Sequence, residues 1–134
     1  MRQLACILAV SGICVLAGTV LAQQSPPTDN KGMNAQQIGG FDLSKQGLKD
    51  YEQRQMRIRQ IKLDPGGIAA LHSHAQRPAL SYVLSGTIVE HRKGGPDRTY
   101  KAGEVITEST DVEHWAENNG TEPVVIVSVD LFKE

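Results

Sequence analysis

Two histidines lie one residue apart in the stretch LHSHAQRPALSYVLSG, residues 71–86. Side chains at positions i and i+2 of a β-strand point to the same face, so His72 and His74 share a face and Ser73 points away. Two imidazoles that converge from one strand are suited to binding a metal ion. The alternative is a pair of polar residues at a strand edge, because a single H-x-H pattern is a weak signal.

A third histidine favours the metal hypothesis. His114 lies in the stretch GEVITESTDVEHWAEN, residues 103–118, on another predicted strand, and Asn118 follows it by four residues. Neutral imidazoles are suitable ligands for late first-row transition metals. A three-histidine site therefore requires a fold that brings His114 next to His72 and His74.

At these residues the sequence resembles the cupin superfamily. The first cupin motif contains glycine, H-x-H, glutamate and glycine at fixed spacing, and the matching positions here are Gly66, His72, His74, Ala79 and Gly86. The second motif is matched by Gly103, His114 and Asn118, with Ser109 and Asp111 in place of a proline and a glycine. The resemblance covers Leu43 to Leu131.

The resemblance implies an all-β fold, a double-stranded β-helix or jelly-roll cupin barrel with a metal or ligand site in its mouth. It implies that His72, His74 and His114 bind a divalent transition metal. Iron, zinc, nickel, copper and manganese all remain candidates, since the general order of affinities favours copper and zinc whatever the physiological metal is.

The sequence departs from the first motif at Ala79, which stands where a glutamate ligand is usual. One hypothesis is a neutral three-histidine site with open positions for substrate and water. A second is that a displaced side chain, Glu108 or Gln76, serves as a fourth ligand or pocket acid. A third is a degenerate site that binds an organic ligand or nothing.

The strand that follows the histidines contains the candidates for a substrate pocket. Its alternation predicts that Ala79, Ser81 and Val83 face a small, weakly polar interior, and that Leu80, Tyr82 and Leu84 face outward. We expect Arg77, on the preceding loop, and Ser81 to border the pocket. Arg77 can hold an anionic substrate group with two parallel hydrogen bonds, or it is a solvated loop residue.

Other polar residues are interpreted as supporting or surface groups. We expect Asn118 to support the site without touching the metal, either by anchoring its turn or by orienting His114 through a hydrogen bond. Glu90 is interpreted as a solvated strand position and His91 as a surface histidine. No residue is identified as a catalytic base, so the catalytic residues stay unknown.

Short apolar segments separated by glycine, proline and asparagine are typical of an all-β sandwich or barrel. A turn of helix is expected near residue 45, and a turn at residues 64–67 separates the first two strands. The predicted strands are Gln55–Leu63, Ile68–His74, Leu80–Ser85, Thr87–Arg92, Arg98–Tyr100, Val105–Thr107, Glu113–Glu117 and Val124–Phe132.

The N-terminal 22 residues have the pattern of a bacterial-type secretory signal peptide. Arg2 precedes an apolar run, and the small-residue site ends at Ala22. An uncleaved membrane anchor is the alternative. Cleavage would remove both cysteines, Cys6 and Cys14, and would place the mature chain in the periplasm or outside the cell, without stable membrane insertion.

Residues 23–40 are polar and contain Pro-Pro and several glycines, which favours a flexible linker. We expect a single cupin domain over residues 41–134, because a chain of 134 residues is the size of one domain.

The balance of 14 Lys and Arg against 15 Asp and Glu gives no basic surplus for nucleic acid. The preferred function is a small-molecule metalloenzyme of oxygenase, isomerase or lyase type, whose substrate is a small organic molecule, with anionic molecules among the candidates. The alternatives are a non-catalytic ligand-binding or sensing protein and a dimeric structural scaffold. Resemblance to small cupins implies a homodimer.

Overall fold

The computed structural model of this chain describes residues 25–51 and 53–133. The predicted signal peptide, residues 1–22, and both cysteines lie outside these residues, so export stays a prediction. Within the described residues, no helix is long and apolar enough to cross a bilayer.

Eight β-strands and two short 3₁₀ turns make up the described chain. The turns are Ser44–Gln46 and Lys49–Tyr51, close to the predicted turn of helix. The strands are β1 (Lys31–Asp42), β2 (Arg54–Ser73), β3 (Ala79–Ser85), β4 (Thr87–Arg92), β5 (Arg98–Lys101), β6 (Val105–Glu108), β7 (Glu113–Glu117) and β8 (Val124–Lys133). The all-β barrel expected from the sequence is confirmed.

Strand β2 connects the two halves of the sheet. The strand order is β5-β4-β7-β2-β8-β3-β6, and β1 also pairs with β2. The first half of β2, residues 54–63, pairs with β8, whereas residues 68–73 pair with β7. Because β2 changes partner along its length, its histidine end lies against β7.

The prediction of a turn between two strands at residues 64–67 is wrong, because β2 continues through this segment. Gly66 has a φ of +71°, a conformation that glycine adopts without strain, and this bends the chain. The bend is held by backbone hydrogen bonds on both sides of Asn118, from Gly66 N to Asn118 O and from Asn118 N to Gly67 O, both 2.9 Å.

The prediction that residues 23–40 form a flexible linker is wrong for residues 31–40. These residues belong to β1, which pairs antiparallel with β2 over its whole length. Most of β1 is exposed, so it lacks the alternation of apolar and polar residues that identifies a strand in sequence. Its conformation is set by backbone pairing with β2 rather than by burial of its own side chains.

The inward faces of the strands form the core. The predicted alternation in β3 is confirmed, since Ala79, Ser81 and Val83 are buried while Leu80, Tyr82 and Leu84 are exposed. One apolar cluster fills the closed part of the barrel, consisting of Leu63, Val83, Ile88, Ile106, Ala116, Val124 and Ile126. Polar inward residues lie beyond this cluster, where the barrel opens into a cavity.

Candidate metal centre

Three imidazoles converge in the cavity. His72 lies near the end of β2, opposite His114 on β7 in the antiparallel register, and His74 follows the last residue of β2. The three Nε2 atoms form a triangle whose sides are all 3.1 Å. The structure thus brings together the three histidines that the sequence singled out.

The hydrogen bonds of the three Nδ1 atoms determine which ring nitrogen carries the proton. His72 Nδ1 is 2.8 Å from the carbonyl oxygen of Ala70, and His74 Nδ1 is 2.9 Å from the carbonyl oxygen of Arg77. His114 Nδ1 is 2.6 Å from Glu90 Oε1. Carbonyl and carboxylate oxygens only accept hydrogen bonds, so each Nδ1 donates and each ring directs its Nε2 inward.

Burial keeps two of these rings neutral near pH 7. Desolvation lowers the pKa of His72 and of His74 to about 4 in each case, despite the hydrogen bonds to Ala70 and Arg77 that favour the charged forms. The charges of Arg77 on both rings, and of Arg59 on His74, lower these pKa values further. Lone pairs rather than protons therefore face one another within the triangle.

The triangle fits a transition metal ion. Imidazole nitrogens bind such ions at about 2.0–2.1 Å, and donors 3.1 Å apart at that distance subtend about 95–102° at the ion. These angles lie between those of an octahedral face and of a tetrahedron, so the side of the ion opposite the histidines is left for other ligands. Among the described residues, the ligand atoms of these three histidines lie close enough together to hold one metal ion.

Glu90 positions His114. Its side chain is fully buried on β4, and its carboxylate accepts from His114 Nδ1 and lies 2.9 Å from Arg92 Nε. Burial would raise the pKa of Glu90, but the contacts with His114 and Arg92 outweigh it and lower that pKa. An ionised carboxylate behind a ligating imidazole fixes the ring and increases its basicity. The prediction that Glu90 is solvated is wrong.

Glu108 is an inward acid beside the triangle. Its Oε1 lies 3.5 Å from His114 Nε2 and 3.8 Å from His74 Nε2, and its Oε2 accepts a 2.9 Å hydrogen bond from Ser81. In the register of β3 and β6, Glu108 lies opposite Ala79. Cross-strand partners share a face of the sheet, so Glu108 brings a carboxylate next to the position that lacks one in β3.

The histidines and Glu108 line a cavity of about 330 Å³. Ser81 and Arg77, the predicted pocket residues, both line it. The expectation of a weakly polar interior is wrong, because Glu90 and Arg59 also border the cavity. Arg59 N–H groups lie near Asp130, whose carboxylate is buried under three guanidinium groups.

The structure does not bring two of the predicted residues to the histidines. Gln76 is exposed in the turn after β2 and does not line the cavity. Asn118 is buried, but its amide donates to the carbonyl oxygens of Leu63, Asp64 and Glu122. Asn118 thus anchors its turn, and the prediction that it orients His114 is wrong, because Glu90 occupies the Nδ1 of that ring.

His91 points away from the site. Its ring stacks on Trp115 with centroids 3.7 Å apart, and its nitrogens lie 2.8 Å from Asp97 Oδ1 and 3.0 Å from Glu117 Oε1. It lies outside the cavity that the other three histidines line.

Three polar residues at or beside the cavity, Glu90, Arg59 and Asp130, were not predicted from the sequence to belong to the site. Each continues an apolar inward row at spacing i+2: Glu90 follows Ile88, Arg59 precedes Ile61 and Leu63, and Asp130 follows Val124, Ile126 and Ser128. The two-residue period of a β-strand, applied to these rows, predicts that all three side chains face inward.

Comparison with known proteins agrees with this geometry. A family model described as a cupin domain matches residues 59–130. No curated protein sequence gives a significant match.

Several solved structures share the fold. A protein with a double-stranded β-helix domain from Klebsiella pneumoniae aligns with a TM-score of 0.61 and 22% identity, over 79% of this chain and 82% of its own. A predicted oxalate decarboxylase from Thermotoga maritima gives 0.59 and 22%, over 81% and 94%. A sugar phosphate isomerase of the cupin superfamily from Silicibacter pomeroyi gives 0.58 and 20%, over 76% and 60%. The double-stranded β-helix expected from the sequence is confirmed.

The depressed histidine pKa values predict how the stability of the metal-free protein depends on pH. Unfolded histidines take up protons near pH 6.5, whereas His72 and His74 in the fold do so only near pH 4. The free energy of unfolding should therefore fall as the pH is lowered from 6.5 to 5, by up to about 1.4 kcal/mol per pH unit for each histidine.

Urea unfolding at several pH values in this window measures the slope. The double substitution His72→Gln with His74→Gln should flatten it. A stability that is independent of pH in the wild-type protein, or a slope that the double variant retains, would contradict this assignment.

Proposed function

Since this chain belongs to the cupin family, we propose that it is an exported metalloprotein that acts on a small organic molecule. In this proposal His72, His74 and His114 hold one divalent transition metal ion, from among iron, zinc, nickel, copper and manganese. Glu108 is the candidate for a fourth ligand or pocket acid. Export follows from the pattern of residues 1–22.

One observation carries the proposal. Three imidazoles direct their Nε2 atoms at one another across 3.1 Å, while each Nδ1 is already hydrogen-bonded to an oxygen acceptor. Lone pairs brought together in a buried place repel unless a cation lies among them. Buried carbonyl and carboxylate oxygens hold these ring orientations through hydrogen bonds. This arrangement favours a metal site over a chance cluster.

A bound divalent metal would supply Lewis acidity or oxygen activation at this point. The residues of the chain supply the rest of the site. Glu90 holds His114 in the ligating orientation, and the apolar core below the cavity excludes bulk water from the three rings. Ser81 orients the carboxylate of Glu108 through its hydroxyl group.

Glu108 favours an enzyme over a passive binding protein. Burial raises its pKa, although the charge of His114 and the hydrogen bond from Ser81 oppose this effect. A carboxyl group whose pKa is raised in this way can hold or release a proton closer to neutral pH. Its Oε1 faces the cavity next to the histidines, so it can exchange a proton with a molecule bound there.

The proposed reaction class is oxygenation, isomerisation or elimination of a small substrate. Structural neighbours described as a predicted oxalate decarboxylase and a sugar phosphate isomerase support a small-molecule substrate. A cavity of about 330 Å³ is in the range that suits such ligands. A non-catalytic binding protein is the second candidate, and it is favoured if the metal-loaded protein binds small organic molecules without converting them.

We also propose that the functional unit is a homodimer. The outward residues of β3 and β6 and of residues 125–129 of β8 form one continuous apolar face, and the outward charge of β8, Lys133, lies at the end of that strand. The face is made up of Leu80, Tyr82, Leu84, Val105, Thr107, Val125, Val127 and Val129. An exposed apolar face of this kind marks an interaction site. A second copy of the chain fits it, because a two-fold interface matches a patch with itself and no charges are opposed.

Metal content tests the proposed function. The mature protein, residues 23–134, purified without a histidine tag, should contain close to one equivalent of a transition metal by mass spectrometry. His74→Ala and His114→Ala should each lower this to roughly a tenth or less after dialysis, because each removes a ligand from the triangle.

His91→Ala is the matched control, since it removes a histidine outside the cavity and should keep the wild-type content. A wild-type protein that stays free of metal after reconstitution, or a loss in His91→Ala equal to that in His114→Ala, would overturn the proposal.

Mass measurement in solution tests the dimer. Light scattering coupled to size-exclusion chromatography should give twice the chain mass for the wild-type protein. Leu80→Lys combined with Tyr82→Lys should give the mass of a single chain, because it places charge in the apolar face. Leu48→Lys, at an exposed leucine between β1 and β2, is the control and should remain dimeric. A monomeric wild-type protein would contradict the homodimer.

A further inference from the structure

Three arginines surround one buried carboxylate at the edge of the cavity. Arg57 binds Asp130 with two hydrogen bonds, from Nε at 3.0 Å and from a terminal nitrogen at 2.8 Å. Arg59 donates to Asp130 Oδ2 at 3.0 Å, and a terminal nitrogen of Arg77 lies 3.5 Å from the same oxygen. One negative charge therefore faces three positive charges.

The arginines differ in what they can still bind. Arg57 uses its fork on Asp130, packs over the ring of Phe132 and does not line the cavity. Arg59 and Arg77 both line the cavity and each contact Asp130 through one nitrogen. Since Arg57 already matches the charge of Asp130, the charges of Arg59 and Arg77 form a surplus at the cavity wall.

Arg59 has a buried donor without a partner. Its Nε has no hydrogen-bond partner, although its side chain is only 17% exposed. A buried N–H that lacks an acceptor costs free energy, so such a group in a cavity wall is a candidate for a bound acceptor. Desolvation lowers the pKa of Arg59 even though the charge of Asp130 raises it, which agrees with incomplete compensation of this guanidinium.

The register of the sheet places Arg59 on the same inner face as the metal centre, because it lies opposite Ser128, in the row next to that of Asp130. Arg57, Asp130, Ala79 and Glu108 lie in one row across β2, β8, β3 and β6. Asp130 and Glu108 flank Ala79, whose methyl group leaves space between the two acids. A small molecule in the cavity would be within reach of the remaining guanidinium donors of Arg59 and Arg77 as well as of the histidines and Glu108.

We propose that Arg59 and Arg77 bind an oxyanion group of the substrate, a carboxylate or a phosphate, and that Asp130 positions both side chains for this contact. The substrate class is then a small organic anion whose charged end lies at the arginines and whose reacting end lies at the three histidines. The position of the reacting end rests on the proposed function, whereas the oxyanion contact does not.

Guanidinium groups recognise planar and tetrahedral oxyanions through paired N–H donors, which a lysine ammonium cannot reproduce. The surplus charge also acts at a distance, because a positive cavity wall attracts anions from solution. Neutral substrates of the same size would gain neither effect. The two arginines thus select for charge, while the metal centre acts on the bound molecule.

Calorimetric titration with defined probes tests the proposal. Malonate, inorganic phosphate and the neutral analogue malonamide are titrated into the full-length mature protein with its metal content measured on the same samples. Malonate or phosphate should bind the wild-type protein, and Arg77→Gln should weaken that binding about ten- to hundredfold, as expected for a lost charge-assisted contact. Malonamide should not bind measurably. The anion that binds more tightly identifies the group as carboxylate or phosphate.

Three further variants keep the test decisive. Arg59→Gln should weaken the same anion as Arg77→Gln does, and Arg77→Lys should restore only part of the affinity. Arg98→Gln removes an equal charge on exposed strand β5 and should leave the affinity within about twofold of wild type. Equal affinity in Arg77→Gln and the wild-type protein, equal binding of malonamide, or no anion binding to the wild-type protein would each overturn the proposal.

The same measurements distinguish failure of the metal centre from failure of the arginine site. A wild-type protein without metal that still loses anion binding in Arg77→Gln would overturn the proposed function and support the arginine site. A metal-loaded protein whose anion affinity is unchanged in both arginine variants would support the metal centre and overturn the arginine site.

Discussion

The structure depends on keeping three imidazole lone pairs directed at a single point. The three Nε2 atoms are only 3.1 Å apart, so the surrounding chain has to hold the rings in this arrangement. It does so through acceptors behind each ring: the carbonyl oxygens of Ala70 and Arg77 and the carboxylate of Glu90. The bend of β2 at Gly66, which lets one strand pair with both β8 and β7, brings these acceptors and rings together.

Charge inside the barrel is arranged in two separate groups. Glu90 stays ionised because His114 and Arg92 contact it, whereas Glu108, which has fewer such contacts, has its pKa raised by burial. Two carboxyl groups near one cavity thereby differ in protonation behaviour, and this suits one for structural support and the other for proton exchange. Around Asp130, guanidinium groups outnumber the single carboxylate. The interior thus contains a group rich in guanidinium and a separate cluster of histidines with two carboxyl groups.

Sequence reasoning found the histidines because their spacing matches the two-residue period of a strand and the resemblance supplied the partner strand. The same period placed Ser81 and Val83 inside correctly. It was not applied to Glu90, which follows Ile88 at the two-residue spacing but was assumed to face solvent. The pairing of β4 with β7 places its carboxylate behind His114. The two-residue period did not identify β1, because the conformation of a polar, exposed strand depends on pairing with the backbone of its partner. A local sequence pattern does not encode that pairing.

The central claim is that His72, His74 and His114 bind one transition metal ion through their Nε2 atoms. Diffraction from crystals of the metal-loaded protein, recorded on both sides of the absorption edge of the bound metal, locates the ion directly. The account predicts one anomalous peak at about 2.0–2.1 Å from all three Nε2 atoms, on the cavity side of the triangle. A metal peak at other residues, or one in contact with His91 and not with these three rings, would contradict it.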